Sequence, residues 1–381
     1  MCKLLFRLLL SLSICTYFLA APLVSAEDTP LADQQNFSNE ALNNSVTAKI
    51  VGGIDSAVSE LPWQAYLNMT FIDENGSRST FVCGGVVISQ DVVLTAAHCL
   101  RNGSETVTTQ NIKVWAGDVS LFSFNSRNVV SVSEFVIHPS YNSARFANDI
   151  AILKLADSLP DTAVPIKMLI EEAVNRSRVD NEFANGWVAN AERVPNLLVS
   201  GWGATDPNDS GSNSTRLKQT LLSGVPDTTC DAQWGSNISP SDYPIFLCAG
   251  SVSPSIGRDS CFGDSGGPLV WQDPQASSDS DFGLRLVGIV SFGQGCAGSL
   301  PGVYTEVVNY QGWIEQEVGA AVNTQPTPVF VTNPFTRDYS NAGIAVDFSS
   351  SSGDGGGYIG GGGMLGLIIV GYWRRRILSI V

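Results

Sequence analysis

Short apolar or alternating runs recur from Ile50 to about Ala320, and turn residues separate them. Each run has the length of a β-strand and is too short for a typical helix. The clearest runs are 81–88, 92–97, 129–137, 150–155, 197–202 and 284–292. Repeated short strands between turns are typical of an all-β barrel or sandwich. One helix is predicted near 309–318, where Trp313, Ile314 and Val318 would share a face.

The N-terminal residues differ from this central part. Lys3 and Arg7 precede an apolar run over 8–19, and the small residues Val-Ser-Ala follow at 24–26. This order is typical of a secretory signal peptide, and the run is shorter than the ~20 residues of a membrane anchor. We expect residues 1–26 to be removed during export. Residues 27–49 are polar and rich in Asn and Ser, which predicts a propeptide.

The C-terminal residues change character twice. Residues 321–357 are first rich in Thr and Pro and then in Ser and Gly, which predicts a flexible linker. Three glycines at 355–357 then precede an apolar stretch over 358–373 and three arginines at 374–376. The arginines fit the positive-inside rule for an exported protein, but the stretch is short for a membrane span.

The segment 358–381, with the glycines before it, resembles the GlyGly-CTERM sorting signal of some Gram-negative proteobacteria. The resemblance implies transient membrane association, removal of the tail by an intramembrane protease, and presentation at the cell surface or release. A GPI signal is an alternative, although arginines after the apolar part are atypical of it. A plain single-span anchor is the third alternative.

The charge of the chain excludes one class of partner. Its net charge is −15, and the two terminal segments hold five of its 21 basic side chains, so 16 basic and 36 acidic side chains remain between them. Nucleic-acid binding requires clustered Lys and Arg, and we therefore expect no nucleic-acid partner. The negative electrostatic potential of such a chain favours a cationic substrate. The alternative is that the acidic side chains only increase solubility.

Eight cysteines occur, and Cys2 and Cys15 fall within the predicted signal peptide. The other six suit three disulfide bonds in an oxidising compartment, with 15 possible pairings. None of them has the Cys-x-x-Cys spacing of a zinc site, so no metal is expected. These six are Cys83, Cys99, Cys230, Cys248, Cys261 and Cys296.

Only two histidines occur, which shortens the search for a general base. His138 stands in a turn-like Ile-His-Pro sequence, whereas His98 ends the small-residue strand Thr-Ala-Ala-His-Cys. A lone histidine is more often structural than catalytic, but the sequence also contains an acid and a serine in motifs that suit catalysis together with His98. Asp149 heads an apolar strand in Asn-Asp-Ile-Ala, and Ser265 lies in the glycine-rich turn Gly-Asp-Ser-Gly-Gly-Pro. A serine, a base and an orienting acid suit nucleophilic catalysis.

These three segments, in this order, resemble the motifs of the chymotrypsin/trypsin family of serine proteases. The resemblance covers Ile50 to about Val318, roughly 70% of the chain. It implies a domain over 50–320 with two antiparallel Greek-key β-barrels and a short C-terminal helix. It also implies a monomeric, cofactor-free endopeptidase that acts on proteins or peptides through an acyl-enzyme intermediate.

The resemblance assigns a role to each catalytic group. Ser265 is the nucleophile, and His98 takes its proton and later protonates the leaving amine. Asp149 fixes the imidazole tautomer and stabilises its positive charge. The backbone N–H groups of Gly263 and Ser265 stabilise the oxyanion.

Substrate preference follows from the position six residues before the nucleophile. In the family this residue is the floor of the primary pocket, and an acid there selects Lys or Arg. Asp259 occupies this position. A buried, unpaired carboxylate favours a cation, so we expect Asp259 to select Lys or Arg. The alternative is that Asp259 is a solvated acid in a loop. Asp259 also opposes a chymotrypsin- or elastase-like preference. The other positions assigned to substrate binding are Ser260, Ser291, Gly293 and Gly302.

Activation is implied by Lys49-Ile50-Val51-Gly52-Gly53. The family is cut before the isoleucine, and the new α-amino group of Ile50 pairs with Asp264, so we expect an inactive precursor. The activator is another protease or the enzyme itself. The resemblance also implies disulfides Cys83–Cys99, Cys230–Cys248 and Cys261–Cys296. A catalytically dead fold used for binding is the alternative class, but such proteins typically lack a triad residue or the oxyanion glycine.

Overall fold

The computed structural model describes residues 50–170 and 173–345. Its first half forms a closed six-stranded antiparallel barrel with the strand order β1-β2-β3-β6-β5-β4, in which β4 returns to pair with β1. The strands are β1 Gln64–Ile72, β2 Arg78–Ser89, β3 Val92–Thr95, β4 Ile112–Ala116, β5 Val130–Ile137 and β6 Ala151–Leu155. In β1 the side chains of Ala65, Leu67, Met69 and Phe71 are buried, and the residues between them are half-buried. This alternation is the period of a strand with one face on a core.

The second half forms another six-stranded antiparallel barrel with the order β8-β7-β10-β11-β12-β9, which pairing of β8 with β9 closes. Its strands are β7 Leu197–Gly201, β8 Lys218–Val225, β9 Phe246–Ser251, β10 Pro268–Gln272, β11 Leu284–Phe292 and β12 Gly302–Glu306. The short strand Ile54–Asp55 adds to the edge of β8. The predicted all-β architecture of two barrels is confirmed.

Within the described residues, three α-helices lie outside the barrels: α1 Ala173–Gly186, α2 Asp227–Trp234 and α3 Gln311–Val318. Helix α3 confirms the helix predicted from the apolar pattern, and its Ile314 is fully buried. Helix α1 packs on β8, where Gly224 admits the ring of Phe183; a Cβ at Gly224 would lie 2.2 Å from that ring. Both faces of β8 are therefore covered, and every residue of the strand is buried.

Shorter elements complete the described chain. Two hairpins are formed by Arg101–Asn102 with Glu105–Thr106 and by Ala204–Asp206 with Asp209–Asn213. The 3-10 turns are Ala97–Leu100, Thr109–Asn111, Leu121–Ser123, Gly235–Asn237, Tyr243–Ile245, Val307–Tyr310, Ala320–Asn323 and Pro334–Thr336.

Residues 320–345, here called the C-terminal strap, contact both barrels after α3 ends. Phe330 is buried, and its ring centroid lies 4.7 Å from that of Trp63. Farther along, the strand Ile344–Ala345 pairs with Ile256–Gly257. The strap forms the described part of the stretch that the sequence predicts as a linker.

Several predicted segments lie outside the described residues: the signal peptide, the propeptide, the rest of the linker and the C-terminal sorting signal. Among residues 50–170 and 173–345, no helix has the length and hydrophobicity needed to cross a membrane.

Candidate active site

His98 lies on the 3-10 turn Ala97–Leu100, which directly follows β3. The disulfide Cys83–Cys99 ties this turn to β2. The ring Nδ1 lies 2.7 Å from Oδ2 of Asp149, and the backbone N–H of His98 donates to Oδ1 of the same carboxylate at 2.9 Å. One acid therefore holds both the ring and the backbone of the histidine, which leaves Nε2 as the outward-facing nitrogen.

Asp149 lies just before β6 in the crevice between the barrels and is fully buried. Its Oδ2 accepts a second hydrogen bond, 2.6 Å long, from the hydroxyl of Ser291 on β11. Its backbone carbonyl accepts from the hydroxyl of Thr305 on β12 at 2.8 Å. Since both donors belong to the second barrel, the acid of the first barrel is fixed by contacts across the interface.

The environment of His98 favours its protonated form. Burial lowers the pKa of the imidazole, but the charge of Asp149 and its hydrogen bond raise it, and the net pKa lies above its usual value. Such a base accepts a proton more readily than free imidazole does.

Ser265 lies in the turn that precedes β10, and its carbonyl accepts from the backbone N–H of Gly84 at 2.8 Å. The Sγ of Cys99, beside His98, lies 3.6 Å from the same carbonyl oxygen. Gly266 has φ +79°, and a Cβ there would lie 2.1 Å from Oγ1 of Thr95. The turn therefore packs directly against the end of β3. Within the described residues no hydrogen bond joins the Ser265 hydroxyl to His98, and such bonds often tighten only when substrate binds.

Two backbone amides in this turn are free. Gly263 has φ +95°, which favours glycine. The amides of Asp264, Gly266 and Gly267 donate to backbone carbonyls of the protein. The amides of Gly263 and Ser265 find no acceptor among the described residues. A negatively charged oxygen is the acceptor that such a pair suits.

Asp259 lies two residues before Cys261, which forms a disulfide with Cys296. It is 7% exposed, and its Oδ2 accepts from the backbone N–H of Ala297 at 2.9 Å. A Cβ at Gly302 would lie 3.1 Å from Oδ1, so a side chain at Gly302 would crowd the carboxylate. Burial raises the pKa of Asp259 to about 7, and no basic side chain of the described residues forms an ion pair with it.

Of the other residues assigned to substrate binding, Ser260 and Gly302 lie next to this acid, whereas the hydroxyl of Ser291 donates to Asp149. The hydroxyl of Ser260 lies 3.3 Å from that of Tyr304. Gly293 follows Phe292, the last residue of β11, and a Cβ on it would meet the carbonyl of Gly295 at 3.3 Å. A side chain at Gly293 or at Gly302 would therefore crowd a neighbouring oxygen atom.

Phe146 belongs to the site and was missed by the sequence analysis. Its ring meets the His98 ring edge-on at 5.6 Å and lies 5.4 Å from the ring of Phe292. Its φ of +53° is unusual for an aromatic residue. Three residues before Asp149 in a polar turn, it carried no signal beyond its aromatic character. The supporting hydroxyl of Thr305 was missed as well.

Asp264 is fully buried beside the turn that carries Ser265. Its Oδ1 accepts from the amide of Gly203 at 2.8 Å, and its Oδ2 accepts from the amide of Cys261 at 2.9 Å. Burial raises the pKa of Asp264 to about 7. Ile50 and Val51 are fully buried too, and the carbonyl of Val51 accepts from the amide of Asp259 at 3.1 Å. Lys49 lies outside the described residues.

His138 takes no part in the site. Its ring meets the rings of Tyr310 and Trp313 edge-on, at 5.2 and 4.9 Å. The third disulfide, Cys230–Cys248, joins α2 to β9. All three disulfides that the resemblance implies are thus present.

Comparison with known proteins gives a consistent result. The family model described as Trypsin matches residues 50–314. Trypsin alpha-4 of Lucilia cuprina is 36% identical over 279 residues, which cover 72% of this chain and 89% of the relative. Trypsin delta of Drosophila erecta is 34% identical over 282 residues (72% and 90%). Trypsin-1 of Astacus astacus is 32% identical over 270 residues (70% and 98%).

Proposed function

The chain belongs to the trypsin family and is a serine-type endopeptidase, and from this premise we propose that it is a secreted enzyme, made as an inactive precursor, that cuts after Lys or Arg. The observation that carries the specificity is the buried carboxylate of Asp259, which has no cationic partner among the described residues. A lysine or arginine side chain of the substrate would supply the missing charge.

In the proposed reaction, His98 removes the proton of the Ser265 hydroxyl as its oxygen attacks the scissile carbonyl. The hydrogen bond between His98 Nδ1 and Asp149 supports this step, because it leaves Nε2 free to accept the proton. The oxyanion that forms is stabilised by the free amides of Gly263 and Ser265. The imidazolium then protonates the leaving amine, and water hydrolyses the acyl-enzyme by the same steps.

The proposed activation step is cleavage after Lys49. The new α-amino group of Ile50 would pair with Asp264, whose carboxylate is buried and bonded only to backbone amides in the described chain. Burial of Ile50 and the bond between Val51 and Asp259 support a link between this segment and the pocket. Before cleavage the acid lacks its cation, so the precursor should be poorly active.

The proposed localisation is extracellular or at the cell surface. The predicted signal peptide and the three disulfides support export to an oxidising compartment. The predicted tail over 358–381 would give transient membrane association before its removal. Mass spectrometry of the secreted protein would test this, because it identifies both termini; a mature chain that retains residues 1–26 would contradict export by a cleaved signal.

The specificity is tested by digesting a peptide library with the activated enzyme. We expect at least nine-tenths of the cuts to follow Lys or Arg. The Ser265→Ala variant, activated in the same way, is the control for contaminating proteases. Cleavage mainly after aromatic or small residues would refute the assignment of Asp259.

A further inference from the structure

The last residues of the C-terminal strap, 339–345, lie beside the pocket acid. The strand Ile344–Ala345 pairs antiparallel with Ile256–Gly257, which ends two residues before Asp259. The side chain of Ile344 packs against a buried cluster that includes both cysteines of the pocket disulfide. The members of this cluster are Val51, Ala204, Cys261 and Cys296.

Arg258, the neighbour of the pocket acid in the sequence, is held by the strap. Its guanidinium Nη2 donates to the carbonyls of Tyr339 at 3.0 Å and of Ala342 at 3.1 Å. The residue is only 9% exposed, and a buried guanidinium without acceptors would be strongly unfavourable. The two strap carbonyls therefore fix the side chain of Arg258 and, with it, the backbone that leads into Asp259.

The strap also contacts the activation segment at a point where no side chain fits. Gly52 has φ +71°, and a Cβ on it would lie 2.5 Å from Cα of Gly343. Gly343 has φ +111°, and a Cβ on it would lie 1.9 Å from Cγ2 of Ile256. Three backbone segments, at Gly52, at Ile256 and at Gly343, thus pack against one another.

We propose that residues 339–345 are a positioning element for the cation pocket. They hold residues 256–258 against the activation segment, so that Asp259 stays in the orientation that binds a lysine or arginine side chain. The strap acts through Ile256, Arg258 and Gly52, and through the buried cluster against which Ile344 packs. This proposal rests on the proposed Lys/Arg specificity.

The first test is Gly343→Ala in the full-length, activated enzyme. The added methyl group would overlap Cγ2 of Ile256, and a φ of +111° is strained for alanine, so the contact between the strap and Ile256 must change. We expect the KM for an arginine amide and the Ki for benzamidine, a planar amidinium cation, to rise together by about tenfold (about 1.4 kcal/mol), with a smaller change in kcat. The matched control is Gly312→Ala on α3, where nothing lies within 4 Å of the added Cβ; both constants should stay within twofold of wild type.

A second test removes a side-chain contact of the strap without backbone strain and compares it with an exposed control. Ile344→Ser takes the apolar side chain off the pocket cluster, and Val331→Ser changes a strap residue that is 80% exposed. We expect only Ile344→Ser to raise KM and Ki. Unchanged constants in Gly343→Ala and Ile344→Ser, even with a lower melting temperature, would overturn the proposal and leave the strap a structural role. Loss of folding in both variants would overturn it too.

The same measurements separate this proposal from the proposed function. A wild-type enzyme that neither cuts after Lys or Arg nor binds benzamidine would refute the specificity itself. A wild-type enzyme that does both, beside variants with identical constants, would refute only the role of the strap.

Discussion

Replacement of Asp259 by serine should change the substrate preference of the enzyme more than any other single substitution. The carboxylate is 7% exposed and has no cationic partner among the described residues, so an arginine side chain in the pocket would depend on it for charge. Removing one partner of a buried ion pair costs about 3–5 kcal/mol, which corresponds to a loss of roughly 10²- to 10⁴-fold in kcat/KM for arginine substrates. Aromatic substrates, which carry no charge, should lose little or gain.

The assay compares kcat/KM for matched Arg, Lys and Phe peptide amides between wild type and Asp259→Ser. Asp161→Ser, which changes an exposed acid, is the control and should leave the ranking unchanged. Active-site titration of each preparation separates a loss of specificity from a loss of folded enzyme. An unchanged ranking of the three substrates in Asp259→Ser would show that another group binds the cation.

Three further predictions follow from the same site. Ser265→Ala and His98→Ala should each lower turnover by about 10⁶-fold without unfolding the domain; activity within tenfold of wild type in either variant would contradict the assigned roles. The Ki for benzamidine should rise by about tenfold per pH unit below pH 7, because Asp259, whose pKa is raised to about 7, becomes protonated there; a Ki that is constant from pH 5 to pH 8 would contradict this. A trace of mature enzyme should cut Ser265→Ala precursor after Lys49, which lacks a preceding acidic run; failure to do so, where general trypsin succeeds, would exclude self-activation.

The barrels and the three motif segments could be predicted because their signals are local. Each apolar run gives one strand, and the residues around His98, Asp149 and Ser265 are contiguous in the sequence. Helix α1 was missed because it is mostly polar; Val179 and Phe183 are its buried apolar side chains among those described. Helix α1 is held in the fold by its packing on β8, where Phe183 lies over Gly224. The sequence pattern of α1 gives no sign of this contact.

The supporting contacts of the site could not be predicted for a different reason. Ser291 is 142 residues from Asp149 in the sequence, and Thr305 is 156 residues away. Nothing in a serine or threonine distinguishes a hydroxyl that supports a buried acid from one that faces solvent. The strap presents the same difficulty, because its Pro- and Thr-rich composition resembles a linker, while a few side chains such as Phe330 and Tyr339 anchor it.

Asp259 and Asp264 are buried acids with raised pKa values, and we assign one to substrate binding and the other to activation. Burial raises the pKa of each from 3.8 to about 7, so the folded state binds more protons than the unfolded state between these two values. The free energy of unfolding therefore falls as pH rises through this window. A lysine or arginine side chain would relieve this penalty at Asp259, and the α-amino group of Ile50 would relieve it at Asp264.

This linkage gives a prediction that separates activation from catalysis. At pH 7.5, Ser265→Ala protein cut after Lys49 should melt at a higher temperature than the uncut precursor, because Asp264 gains a cation. At pH 4 Asp264 is protonated in the uncut folded protein and escapes the cost of a buried charge, so the difference should be smaller. Asp264→Asn in the same background is the control, since it removes the charge and should abolish the difference at pH 7.5. Equal melting temperatures of cut and uncut Ser265→Ala protein at pH 7.5 would contradict the pairing of Ile50 with Asp264.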